Sequence, residues 1–264
     1  MLRIKEKIQH FRFLQKNLGL RGAFIYKKEI KRSLKLKSKE HYHLASKNAE
    51  YPLICRAHSS DISVFHQIFF EKEYSCLDEL VEVDLIVDLG ANVGYSSAYF
   101  LSRFPQSQLI CVEPDSSNFQ ILEQNLNPYK ERVTLIKSGV WSHITGLTIN
   151  EIPYRDGFEW TVQVRECREN EKPQMEAIDI GTILKQSGKS RISILKVDIE
   201  GAEAVVFNKN YESWLPYVDN IVIEIHDDSC FGKASDIVFQ AISSCGNSFD
   251  VFNSGELTVF KASR

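Results

Sequence analysis

From residue 84 onward, short apolar runs alternate with amphipathic stretches. Short apolar-rich runs, here of three to six residues, suit buried strands, and spacings of three and four suit helices packed by one face. Strands are expected at 85–87, 108–112, 133–136, 192–197 and 221–225. Between and after them, helices are expected at 96–104, 116–126, 178–184, 203–207 and 234–243. Asn127-Pro128 stops the second of these, because proline cannot continue a helix. Two further strands, 249–252 and 257–260, lie too close for a helical crossover and must pair as a hairpin. Residues 145–165 read as another hairpin, turning at Asp156-Gly157. Strands alternating with helices predict a mostly parallel, seven-stranded sheet with helices on both faces and an antiparallel C-terminal hairpin.

The N-terminal part has a different pattern. Ile4, Ile8, Phe11, Leu14 and Leu18 recur at helical spacing with Lys and Arg between them, and Gly19 and Gly22 then interrupt. Residues 51–80 form an entry segment, with a strand at Leu53-Ile54-Cys55. Ser59-Ser60-Asp61 offers an N-cap for a helix through Ile62, Val64, Phe65, Ile68 and Phe69. The expected division is a basic helical arm, 1–50, and an α/β domain, 51–264.

Charge sharpens that division. Residues 1–39 hold 13 Lys and Arg against Glu6 and Glu29, a balance of +11 within a chain of net charge −3. A basic amphipathic helix suits an anionic membrane or a polyanion. It equally suits packing on the protein's own body with its charges in water. The acidic remainder disfavours a nucleic-acid partner, whose phosphates it would repel. Apolar residues make up 43% of the 264, enough for a full core. No apolar run approaches the roughly 20 residues that span a bilayer, and the start lacks the apolar centre of a secretory signal. Six scattered cysteines without a C-x-x-C pair read as buried free thiols, consistent with a reducing cytoplasm.

In an open parallel sheet the ligand sits beyond the carboxyl ends of the strands. The first strand ends in Asp88-Leu89-Gly90-Ala91-Asn92-Val93-Gly94-Tyr95-Ser96. Its glycines permit a tight turn and close approach to a ligand, and a helix N-terminus follows. Asp88 can accept from a ligand ammonium. No Gly-Lys-Ser/Thr follows, so this is no P-loop, and G-x-x-x-G is not the dinucleotide spacing. The second strand ends in Glu113-Pro114-Asp115, placing Glu113 23 residues past Gly90, near the roughly 20-residue offset at which an acid bridges ribose hydroxyls. Asp115 is the better placed of the two acids to cap the next helix. Gly139-Val140-Trp141 could floor an adenine ring, or Trp141 could fill the core. Lys196, Asp198 and Glu200 end the fourth strand, and Glu224 and His226 the fifth; polar residues so crowded are costly as packing alone. His226 is the candidate general base, oriented by Asp198. Lys196, Glu200 and Glu224 are candidates for the acceptor side. Asp198, Glu200, Glu224, His226 and Asp227 also make a conceivable divalent-ion site of oxygens plus imidazole.

DLGANVGYSS (88–97), VEPDSSNFQILEQNL (112–126), ILKVDIEGAE (194–203) and EIH (224–226) together resemble the FkbM family of S-adenosylmethionine (SAM)-dependent methyltransferases. RAHSSDISVFHQIFFEKEY (56–74) resembles the segment that precedes the domain in many members. The resemblance spans about residues 52–260 and leaves the arm uncovered. It implies a Rossmann-like class I methyltransferase fold, SAM as cofactor, and O-methylation of a small-molecule acceptor such as a sugar or natural-product hydroxyl. The competing expectation is a non-catalytic SAM-fold module tethered by the basic arm.

Overall fold

The computed structural model describes residues 2–35, 37, 40–150 and 163–263. The arm is a helix, α1 (Leu2–Ser33), broken at Gly19, whose φ of 78° and ψ of 171° leave the helical region. That backbone region is essentially restricted to glycine. Gly22 does not interrupt, contrary to expectation. It lies inside the helix where a Cβ would come within 2.7 Å of the Ala45 carbonyl, so its role is close packing. β1 (His41–Leu44), a strand not expected from the sequence, pairs antiparallel with β2 (Leu53–Arg56) and so crosses the expected boundary at residue 50. Leu14, Leu18, Ala23 and Tyr26 share one apolar cluster with Phe65, Tyr95 and Phe100. The arm's inner face is therefore part of the domain's core, and that burial rather than helix propensity holds it.

α2 (Asp61–His66) leads into a π-helical turn, Gln67–Glu71. Ser60 makes no side-chain cap. Asp61 instead turns back onto Arg56, accepting from Nε at 3.0 Å and Nη2 at 2.7 Å, with both side chains buried. Arg56 also donates to Ser117 Oγ at 3.0 Å and Asn118 Oδ1 at 2.9 Å. This buried fork joins the entry segment to the domain.

The domain follows as β3 (Leu85–Leu89), α3 (Tyr95–Arg103), β4 (Gln108–Val112), α4 (Ser116–Leu126), β5 (Val133–Ile136), β6 (Gly139–Val140), β7 (Gly146–Ile149), β8 (Val164–Glu166), β9 (Met175–Ile178) and α5 (Ile180–Ser187). It ends with β10 (Ile194–Val197), α6 (Glu203–Val206), β11 (Asn220–Glu224), α7 (Ala234–Ser244), β12 (Phe249–Ser254) and β13 (Leu257–Ala262). Seven strands form the main sheet in the order β12-β13-β11-β10-β3-β4-β5. The central pairs are parallel, whereas β13 runs antiparallel to both β11 and β12. This is the Rossmann-like class I methyltransferase architecture. Alternate residues of β3 feed opposite faces, as strand geometry requires: Ile86 joins the apolar cluster that holds Tyr99 and Phe100, and Val87 the one that holds Ile183 and Val238.

A second sheet, β6-β9-β7-β8, lies between β5 and α5 in the chain. β7 and β8 form the expected antiparallel pair, Ile149 facing Val164. The Asp156-Gly157 turn falls outside the described residues. β9 was not expected; Ile178 ends this strand, so α5 starts two residues later than the apolar pattern suggests. All six cysteines are free.

Breaking a buried ion pair from one side strands the other charge and costs about 3–5 kcal/mol. Arg56→Met should therefore lower the urea-unfolding free energy by that amount. The double change Arg56→Met, Asp61→Leu should recover most of the loss. A loss below about 1 kcal/mol for the single change would contradict the role given to this pair.

Candidate active site

Strand order reverses between β3 and β10. β4 and β5 lie to one side of β3, and β10 and β11 to the other. Loops leaving β3 and β10 must part in opposite directions there, and a crevice opens beyond the strand ends. A cavity of about 340 Å³ fills it, within the usual range for small-molecule sites.

One side of the cavity is lined by Gly90, Ala91, Asn92, Glu113, Pro114, Gly139 and Val140. Gly90, at φ +74°, passes so close to β10 that a Cβ would meet the Asp198 carbonyl oxygen at 1.7 Å. Only glycine fits, on both conformation and space. Glu113 is buried, accepting from the Asn92 N–H and the Asp115 N–H at 2.9 Å each. Burial pushes its carboxyl up to about 7, against those two N–H donors. Asp115 caps α4, accepting from Ser117 and Asn118 N–H. Asn92 Oδ1 is buried at the wall with no hydrogen-bond partner among the described residues. An acceptor left so is costly unless a ligand donor meets it.

The other side is acidic. Glu73, Asp198, Glu200, Glu224 and Glu256 all line it, with Lys196 as the cation. Lys196 is buried, donating to the Gly90 carbonyl at 2.6 Å and lying 3.3 Å from Asp88 Oδ1 and 3.4 Å from Asp198 Oδ2. Burial works against its charge, but Asp88 and Asp198 outweigh burial and raise its proton affinity. Burial raises the carboxyls of Asp198, Glu200 and Glu73; neighbouring acids add to the rise, taking Glu200 to about 8 and Glu73 to about 7.

Several expected site residues take other positions. Asp88 does not reach the cavity: its Oδ2 accepts from Ser96 Oγ at 2.7 Å and Ser97 Oγ at 2.6 Å, and its Oδ1 faces Lys196. It fixes the loop instead of meeting a ligand ammonium. Gly94 precedes α3 in the left-handed region, where a Cβ would come within 3.2 Å of Leu122 and 3.3 Å of Leu126 of α4. Tyr95 and Ser96 line the cavity, but the Tyr95 hydroxyl is turned inward to the Ile54 carbonyl. Trp141 is not among the residues lining the cavity; it takes the core-filling alternative, edge-on against Phe231 in a cluster with Leu147 and Val164.

His226 also departs from expectation. It is 1% exposed, with Nδ1 3.0 Å from Glu203 Oε1 and Nε2 3.2 Å from Glu224 Oε1. Burial would lower its proton affinity, but the bonds to Glu203 and Glu224 prevail and raise it to about 11. Both ring nitrogens face carboxylates of the protein, which sets His226 behind the acidic wall. Asp227 is set apart from the cluster and accepts from Ser235.

Glu73, Tyr74, Gln67 and Ile68 of the entry segment were not singled out as site residues from the sequence, nor was Glu256. Glu256 had a usable signal. β13 runs against the parallel strands, so the β12–β13 turn must fall at their carboxyl ends. Glu73 had none, since Ser254 Oγ bonds its carbonyl only through the tertiary fold.

Residues 88–249 match the family model described as the methyltransferase FkbM domain. The chain is 26% identical over 195 residues to methyltransferase sdnD of Sordaria araneosa, covering 63% of this chain and 75% of that protein. It is 25% identical over 188 residues to methyltransferase 1 of Beauveria bassiana, covering 62% and 73%. Among solved structures, fibrillarin of Aeropyrum pernix with natively bound SAM aligns at a TM-score of 0.41 and 11% identity, over 72% of each chain. With the family motif covering most of the sheet and the strand-end crevice, the chain belongs to the FkbM methyltransferase family and is a SAM-dependent methyltransferase.

Proposed function

We propose that this enzyme methylates a hydroxyl of a saccharide or glycosylated metabolite. The observation that carries the reading is the acidic wall: five cavity-lining carboxylates face the acceptor side with one buried lysine. Carboxylates accept hydrogen bonds from a polyol's several O–H groups, and they repel an anionic acceptor. SAM supplies a methyl on a sulfonium; the acceptor oxygen bonds that carbon as the C–S bond breaks and its electron pair goes to sulfur. In our reading Glu113 accepts from the ribose hydroxyls and Asn92 Oδ1 from a further cofactor donor. Gly90, Pro114, Gly139 and Val140 shape the cofactor's side. Glu200, on the wall and near Asp198, takes the hydroxyl proton in its ionised form, which gains population as pH rises toward about 8. Lys196 and Asp198 keep the two central strand ends in register.

The arm bears on where the acceptor is met. Phe13, Leu20 and Phe24 of α1 are 51–60% exposed, and Lys7, Arg12, Lys16, Arg21, Lys27 and Lys28 are exposed around them. Glu29, one of the segment's two acids, is buried and held by Arg32 at 2.7 Å. No helix among the described residues is long and apolar enough to cross a membrane. Apolar side chains ringed by cations suit the surface of an anionic bilayer. Phe13 stacks on Phe70, and Tyr26 bonds His66 at 2.6 Å, on the helix that continues into Gln67 and Ile68 of the cavity wall. We read the arm as holding the cavity near an anionic surface.

Three results test these readings. Transfer of labelled methyl to neutral saccharides and glycolipids should exceed transfer to acidic sugars; transfer to none of them, by protein that binds SAM, would overturn the acceptor class. SAM should bind the ionised Glu113, so its Kd should rise as pH falls below about 7, toward tenfold per unit. Calorimetry between pH 6 and 8 should show that slope in the wild type and its loss in Glu113→Gln; a flat wild-type profile would refute the ribose role. The full chain should sediment with phosphatidylglycerol-containing vesicles and not with phosphatidylcholine alone, and Leu20→Ser with Phe24→Ser should weaken this at least tenfold. Equal partition to both vesicles, or binding only to heparin, would overturn the membrane role.

A further inference from the structure

Asp198, Glu224 and His226 come from the ends of β10 and β11, and one ligand atom from each lies within 4.8 Å of the other two. Bonds of about 2.1–2.4 Å to a shared ion place opposite ligands roughly 4–5 Å apart, so the three can meet one cation with little movement. The set is mixed, two carboxylates and one imidazole, which separates it from an ordinary acidic patch.

The support behind the imidazole is the second observation. Glu203 has no exposed surface; its Oε1 lies 3.0 Å from His226 Nδ1 and accepts the Ile199 N–H at 3.0 Å. A carboxylate on one ring nitrogen fixes the tautomer and turns the other nitrogen outward, as behind metal-bound histidines. Here that nitrogen, Nε2, is turned toward Glu224 and Glu200. Glu203 Oε2 is buried and meets no hydrogen-bond donor among the described residues. Such an oxygen, buried behind the imidazole, is better satisfied the more positive charge the ring and its outer nitrogen carry, as a bound cation would supply. Lys196 is already committed to Gly90 and Asp88.

We propose that Asp198, Glu224 and His226 Nε2 hold one divalent cation of the Mg²⁺ or Mn²⁺ class at the acidic wall. It replaces the proton that His226 otherwise shares with Glu224. This rests on the methyl-transfer reading above and gives the acceptor hydroxyl a place to bind: on the cation, next to Glu200. A hydroxyl bound there loses its proton to Glu200 more readily and is aimed for attack.

The test is titration of the chelator-treated full chain with MnCl₂, by calorimetry and by loss of the free Mn²⁺ paramagnetic signal. SAM binding is measured in parallel. One saturable site per chain is expected, weakened at least tenfold in Glu224→Gln and in Asp198→Asn, and unchanged in Glu123→Gln on the exposed face of α4. Circular dichroism confirms that each variant is folded. If SAM binds and Mn²⁺ does not, or if Mn²⁺ affinity ignores Glu224→Gln and Asp198→Asn, the cation site is refuted while the methyl-transfer reading stands. If neither SAM nor Mn²⁺ binds folded protein, both fall.

Discussion

The buried ammonium of Lys196 is the interaction on which the site depends. Its Nζ meets the Gly90 carbonyl and lies between Asp88 and Asp198, the acids at the ends of the two central strands. An ion buried this deeply is tolerated only when hydrogen bonds and opposite charges surround it. Here those partners are the backbone and side chains of the two loops that part at the switch point. The glycine at 90 follows from the same approach, since the Asp198 carbonyl occupies the place of a Cβ. Charge pairing and steric fit thus fix the cavity floor before any ligand arrives.

From that floor the two sides of the cavity acquire different chemistry. The β4 and β5 side is small-residue backbone with one buried acid, Glu113, and one unmet carbonyl, Asn92 Oδ1. The β10 and β11 side is a crowd of carboxylates with a histidine behind it. Burial, with like charges so close adding to it, raises their proton affinity, which is why Glu73 and Glu200 are pushed to about 7 and about 8. Such a wall is a poor structural device, because every acid in it costs desolvation. It becomes favourable when donors, from hydroxyls or from a cation's charge, face it.

Much of this was legible in the sequence. α4 and β5 fall on the residues their apolar spacing indicates, and the C-terminal strands pair antiparallel as their short connection demands. Strand-end positions for Gly90, Glu113, Asp198 and Glu224 follow from the alternating pattern alone. What was not legible depends on tertiary partners. Asp88 looks like a ligand contact until Ser96, Ser97 and Lys196 enclose it. The acids on the two ring nitrogens of His226, Glu203 and Glu224, are brought there only by the fold. β1 and β9 are four-residue strands, too short for a period to show, and exist because a neighbouring strand satisfies their backbone. Glu73 reaches the wall only through the fold of the entry segment.

The central claim is that one cavity at the switch point binds cofactor on the Glu113 side and presents its methyl to the acidic wall. A crystal structure with bound S-adenosylhomocysteine tests it most directly. The account predicts ribose hydroxyls on the Glu113 carboxylate and the sulfur turned toward Asp198 and Glu200. A ligand bound elsewhere, or in this cavity with its ribose away from Glu113, would contradict it.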